Sequence, residues 1–80
     1  MTVASDDEGR ACVVRQTPSA KLVYLVLQRE GCLTQSALME RALLDRSTVR
    51  RAVESLEDCG VVSKEVNLQD ARHRVYCAVE

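Results

Sequence analysis

"LLDRSTVRRAVESLEDCG", residues 43–60, carries three arginines in its first half, Arg46, Arg50 and Arg51, and three acids in its second, Glu54, Glu57 and Asp58. Val49, Val53 and Leu56, with Ala52 beside them, recur at the spacing of one buried helix face. Asp45 suits an N-cap, Leu44 and Val49 stand in the relation of a hydrophobic staple, and Gly60 suits a helix end. These signals predict a helix over about residues 46–58. Its charges oppose the helix macrodipole, which favours anions in the first turn and cations in the last, at about a few tenths of a kcal/mol for each exposed group. The reason for keeping them must lie outside the helix.

Working upstream, the same grammar repeats. Thr34 is an N-cap with Leu33 and Leu38 as its staple, which predicts a short helix over about residues 35–42. Thr17 caps an earlier one, Pro18 occupies its first position, and Gly31 can close it in a left-handed conformation, so a helix is expected over residues 18–30. Downstream of Gly60 the period changes from helical to two. Val62, Val66 and Leu68 alternate with polar residues, and beyond "NLQDAR" Val75, Cys77 and Val79 alternate again, which is the pattern of a hairpin. Leu33, between the first two helices, is expected to supply a short third strand. The order helix, helix, brief turn, helix, hairpin is that of an α+β winged helix-turn-helix, three helices with a small antiparallel β-hairpin wing. It fills residues 17–80. Residues 1–16 read as a flexible, acidic arm whose "ACVV" can add a strand or cover an apolar surface.

Composition narrows the class. The chain has 80 residues, so it holds one domain at most and buries only about 60% of its unfolded surface. With no Trp or Phe and only Tyr24 and Tyr76, the interior must be made of Leu, Val and Ala. The longest apolar run, residues 22–27, is far below the roughly 18 residues of a membrane span, and the acidic N-terminus has no signal-peptide pattern, so a cytoplasmic protein is expected. Cys12, Cys32, Cys59 and Cys77 are widely and unevenly spaced with no C-x-x-C pair; in a reducing cytosol they are expected to act as four small buried or half-buried hydrophobes, the minor alternative being a metal or thiol sensor. The net charge of -1 gives no global pull towards nucleic acid, so any such role rests on local distribution.

That distribution is informative. In a helix-turn-helix the second helix places its N-terminal half in the major groove while its C-terminal half rises away. Arg46, Arg50 and Arg51 lie in the half that enters, and the acids lie where they are kept off phosphates. Arg50 suits a two-pronged contact to guanine, Ser47 and Thr48 suit base edges or phosphate, and Arg46 and Arg51 suit the backbone. At the expected wing, about residues 67–74, Arg72, His73 and Arg74 follow Asp70 and can meet the neighbouring backbone or minor groove. Gln35 and Ser36, behind Thr34, open a helix whose N-terminal amides suit the DNA backbone. The bland reading of each is a solvated face, an exposed turn or a cap. An enzyme is not expected, because three glycines leave no phosphate loop and no Ser/His/Asp or paired-carboxylate set can be assembled; no cofactor and no metal site is implied.

"GCLTQSALME", "LDRSTVRRAVESLEDCGVV" and "DARHRVY", covering most of residues 31–76, resemble small winged-helix transcription regulators of the MarR and TrmB type, especially their short archaeal versions. The resemblance implies that Ser47, Thr48 and Arg50 lie on the recognition helix, and that Asp70 orients a DNA-contacting Arg72 on the wing. The long helices by which full-length MarR proteins dimerise and bind effectors have no counterpart, so ligand sensing is not implied. Sequence-specific binding of double-stranded DNA is the expected function; the alternative is a winged-helix adaptor for protein contact. "LVYLVL", residues 22–27, is apolar around its full circumference, which predicts a homodimer through the helix over residues 18–30 unless the arm covers the second side.

Overall fold

The computed structural model of the chain describes residues 4–66 and 74–79, with side-chain surroundings for residues 8–65 and 74–79. The elements are α1 (Ala4–Val14), α2 (Pro18–Glu30), β1 (Cys32–Thr34), α3 (Gln35–Ala42), α4 (Arg46–Asp58), β2 (Val62–Val66) and β3 (Arg74–Ala78). The helices α2, α3 and α4 coincide with the three expected from caps and staples. Thr17 Oγ1 accepts from the Ala20 amide at 3.2 Å and Thr34 Oγ1 from the Ala37 amide at 3.1 Å, so each satisfies one orphan donor of its helix. The turn from α3 to α4 is closed by Leu43, left-handed at φ 58° and 88% exposed, with Leu44 N–H bonding back to Met39 O at 3.1 Å.

The three strands form one antiparallel sheet in the order β1-β3-β2. Cys32, Leu33 and Thr34 stand opposite Cys77, Tyr76 and Val75, while Val62 to Val66 pair with Ala78 to Arg74. The third strand expected at Leu33 is therefore present. Because side chains alternate across a strand, Leu33 and Tyr76 face the helices together and Cys32 and Cys77 face away. The core lies between that inner face and the helices. Val23 and Leu27 of α2, Leu38 of α3 and Val49, Val53 and Leu56 of α4 are its largest fully buried side chains, joined by Tyr76, and no polar side chain among the described residues is buried with them. Burial of each such aliphatic side chain contributes about 1.5–3 kcal/mol, so α4 is held mainly by this seam.

Two expectations are corrected. The segment expected as a flexible arm is helical over Ala4–Val14, and its Val13 is buried, while Gly9 lies so close to the turn after α4 that a Cβ there would stand 2.8 Å from Val61 Cγ1. The missing side chain is what permits the approach. The acids of residues 6–8, read above as marks of a solvated arm, fall near the N-terminus of this helix, where its dipole favours them. The cysteines are also not four independent apolar fillers: Cys12 is bonded to Cys59 and Cys32 to Cys77, across sequence separations of 47 and 45 residues. Closing loops of that size stabilises a fold by about 4 kcal/mol each on chain-entropy reasoning, a large share for a small domain.

Candidate nucleic-acid interface

The amphipathic split of α4 is clear over its first two turns. Val49, Ala52 and Val53 are buried, and Arg46, Ser47, Arg50 and Arg51 are exposed, with Thr48 half-buried between the faces. Three guanidinium groups thus share the solvent side of one short segment. Arg50 Nε lies 3.9 Å from Glu54 Oε2 with both side chains about two-thirds exposed, a contact of about 0.3–0.5 kcal/mol at most. Arg46 and Arg51 form no ion pair with the described residues. No acid occupies the first turn of α4 and no base its last, so the backbone dipole adds positive potential to the end that carries the arginines.

Asp45 takes the N-cap position in extended conformation, but unlike Thr17 and Thr34 it makes no bond from its side chain to the backbone amides. Its carboxylate lies instead beside the Thr48 and Ser47 hydroxyls, Ser47 Oγ donating to Oδ2 at 3.5 Å. The Thr48 hydroxyl is the main cause holding the Asp45 carboxyl below the usual aspartate range. The Ser47 hydroxyl is thus turned towards a negative charge at the threshold of the helix.

The start of α3 lies on the same motif. Thr34 is occupied by capping, Gln35 is half-buried and Ser36 exposed, which leaves the Ser36 hydroxyl and the first amides of α3 open to an anion. At its far end Arg41 Nη1 bonds Glu30 Oε2 at 2.7 Å and ties α3 to the end of α2. Arg74 opens β3 and is exposed; Asp70, Arg72 and His73 lie outside the described residues. One further cation escaped sequence reasoning. Lys64, exposed on β2, stands opposite Tyr76 while Arg74 stands opposite Val66, so neighbouring register pairs bring Lys64 and Arg74 to the same face of the hairpin. The period-two alternation around Val62 held that signal, but Lys64 is apart from the basic run 72–74 in sequence. Among the described residues no cluster of His, Cys, Asp and Glu could hold a metal ion, and no helix is long and apolar enough to cross a membrane.

The chain is 38% identical over 65 residues to an uncharacterized protein, MJ1503, of Methanocaldococcus jannaschii, matching 80% of this chain and 49% of that one. Its fold is similar to that of the PcaV transcriptional regulator of Streptomyces coelicolor, solved with its natural ligand, with a TM-score of 0.76 and 31% identity over 81% of this chain and 46% of that one. A reduced AbfR solved bound to DNA matches with a TM-score of 0.76 at 22% identity, covering 92% of this chain and 55% of that one. This chain thus spans about half the length of the proteins it matches. The sequence profile of the MarR family matches residues 17–73, from the cap of α2 through β2 to the residue before β3. With the helix-turn-helix, the three-stranded sheet and the cationic face of α4 in place, the chain belongs to the MarR family and has the winged-helix fold of its transcription regulators.

Proposed function

We propose that the chain binds double-stranded DNA sequence-specifically in transcriptional control, with α4 in the major groove and the wing, residues 67–74, at the adjacent backbone or minor groove. The observation that carries this is the exposed Arg46, Ser47, Arg50 and Arg51 set opposite the buried Val49, Ala52 and Val53 seam. A purely structural helix has no use for three like charges at the positive end of its own dipole. Arg50 reads guanine, Ser47 and Thr48 meet base edges or phosphate, and Arg46 and Arg51 hold the backbone. Gln35 and Ser36 at the start of α3 fix the register on phosphate. Asp70, Arg72, His73 and Arg74 form the wing contact, with Asp70 orienting Arg72 and Lys64 adding charge behind them. Residues 17–80 are the DNA-binding unit and α1 is its buttress. A DNA reader works where the chromosome is, which is consistent with the cytoplasmic placement expected from the sequence. DNA-bound AbfR, of the same fold, supports the reading.

Recovery of genomic fragments on the immobilised protein, followed by sequencing and a salt titration of one recovered duplex, tests it. Affinity that falls steeply with salt, and a shared motif among the fragments, is the expected result. Salt-independent capture without a motif would favour the protein adaptor instead.

We also propose that two copies pair through α2. Leu22 and Leu25, 39% and 61% exposed, occupy the side of α2 opposite the buried Ala20, Val23 and Leu27, so α1 does not cover that side. A two-fold partner does so and places two α4 helices for a palindromic site. Sedimentation equilibrium at micromolar concentration is expected to return the dimer mass, and Leu25→Lys the monomer mass.

A further inference from the structure

We propose that the Cys32–Cys77 disulfide is a thiol–disulfide exchange site, open to small monothiols of the glutathione class, whereas Cys12–Cys59 is a permanent structural bond. The two bonds differ in surroundings. Cys12 lies in the last turn of α1 and Cys59 at the C-cap of α4, so both sulfurs sit at the negative ends of helix dipoles, where a departing thiolate is disfavoured. Both are half-buried, and the Gln16 side-chain amide lies against them, 3.6 Å from Cys59 Sγ and 3.9 Å from Cys12 Sγ. Cys32 is exposed at the edge of the sheet in β1. Beside it, Gly31 has no side chain, and a Cβ there would meet nothing within 4 Å apart from its chain neighbours. Cys77, opposite it on the central strand, is only 8% exposed. Exchange rate follows access to the attacked sulfur, and Cys32 is the most exposed of the four cysteines.

The step balances with two thiols. The first, as thiolate, attacks Cys32 Sγ; the Cys32–Cys77 bond breaks and its electron pair leaves on Cys77, which takes a proton from water. The mixed disulfide on Cys32 is then attacked by the second thiol, which releases the oxidised thiol pair and leaves two protein thiols. The reductant is oxidised and the protein disulfide is reduced.

The consequence rests on the DNA-binding reading above. Cys32 precedes Gln35 and Ser36 by three and four residues, and Cys77 follows Arg74 by three. The bond therefore fixes the start of α3 against the strand that carries the wing. Once it opens, the three-residue β1 is held to β3 only by its ladder and by the packing of Leu33 beside Tyr76, and the spacing of the two DNA-contacting elements is no longer fixed by that bond.

The oxidised wild-type chain is titrated through a glutathione redox series, free thiols are alkylated and mapped by mass spectrometry, and anisotropy is read on a fluorescein-labelled duplex recovered by genomic selection. Cys32 and Cys77 are expected to become alkylated, with a glutathione adduct on Cys32, at a less reducing poise than Cys12 and Cys59. At that first step the dissociation constant is expected to rise about fivefold or more, the lower end of coupling between two sites. The double variant Cys32→Ser with Cys77→Ser should lose the redox response; should it fail to fold, the order of alkylation in the wild type decides. Simultaneous opening of both bonds, or Cys12–Cys59 opening first, overturns the exchange site, and an unmoved dissociation constant overturns its consequence. A chain that binds no duplex even when oxidised refutes the DNA-binding reading, while the alkylation order still judges the exchange site.

Discussion

In the first half of α4 the arginines and Ser47 are exposed, Thr48 is half-buried and none of them bonds to another element, whereas the second half is tied to the rest of the fold in several ways. Leu56 is fully buried, Val61 N–H returns to Leu56 O at 3.2 Å, and Cys59 is bonded to Cys12 of α1. One continuous helix thus has an end bonded covalently to a neighbour and an end held by its buried seam beneath a free outer face. The difference separates two kinds of residue that sequence spacing alone interleaves: changes on the free face alter what the helix meets, and changes on the seam or at the anchored end alter whether it stands there at all.

The sharpest way to break that distinction is Val53→Asp, which puts an unpartnered charge in a core of six large fully buried side chains. Loss of about 5 kcal/mol, essentially the whole stability of so small a domain, is expected, seen as the absence of a cooperative thermal transition by circular dichroism. A folded variant would mean the helix is wrongly phased. Next in size is Arg50→Ala, expected to cost about 1–3 kcal/mol of specific DNA affinity, concentrated at one base position, with an unchanged melting temperature. A uniform loss over all sequences would move Arg50 from base reading to phosphate contact. Gly9→Leu attacks the anchored end from outside, by forcing side-chain atoms into the space of Val61. Destabilisation of about 1–3 kcal/mol is expected by denaturant titration with DNA affinity retained, since α1 buttresses the end that does not enter the groove.

The smallest effect concerns Asp45. Its folded pKa lies below the ordinary value, so its contribution to stability is present above that ordinary value and is lost as pH falls through the folded one. Asp45→Asn is therefore expected to flatten the acid limb of a stability-against-pH curve by lowering stability slightly in the neutral region, the two curves meeting at low pH. An identical acid limb in variant and parent would show that the Thr48 and Ser47 contacts carry no linkage.

Most of this architecture could be read without coordinates because its signals are local. Thr17 with Pro18, Thr34 with Leu33 and Leu38, and Asp45 with Leu44 and Val49 each specify a helix start within five residues, and the change of period after Gly60 specifies the strands. Leu33 as a third strand followed from the winged arrangement of those elements rather than from a pattern of its own. The cysteines did not, because Cys12 meets Cys59 and Cys32 meets Cys77 only after the helices and sheet have assembled; spacing in the chain says nothing about proximity across 47 or 45 residues. The helix α1 was missed for a related reason. Eleven residues are below the length at which a helix stands alone, so its formation depends on packing at Gly9 and Val13 and on the bond from Cys12, none of which is visible locally. Within the interface, the cationic face of α4 was legible from periodicity, whereas Lys64 became visible only once strand register put it beside Arg74.

The two disulfides interleave along the chain, in the order Cys12, Cys32, Cys59, Cys77, so that neither loop is nested in the other. Any single cut of the backbone between residues 12 and 77 is therefore spanned by at least one of them. A protease that clips the hairpin tip leaves both pieces covalently joined, and the wing strand β3 stays attached through Cys77 to Cys32 while the break is open. On a non-reducing gel such a clipped molecule runs as one species, and only cuts before Cys12 or after Cys77 shed a peptide. A reductant added after the clip separates the fragments, which makes limited proteolysis under the two conditions a direct readout of how this chain is held together.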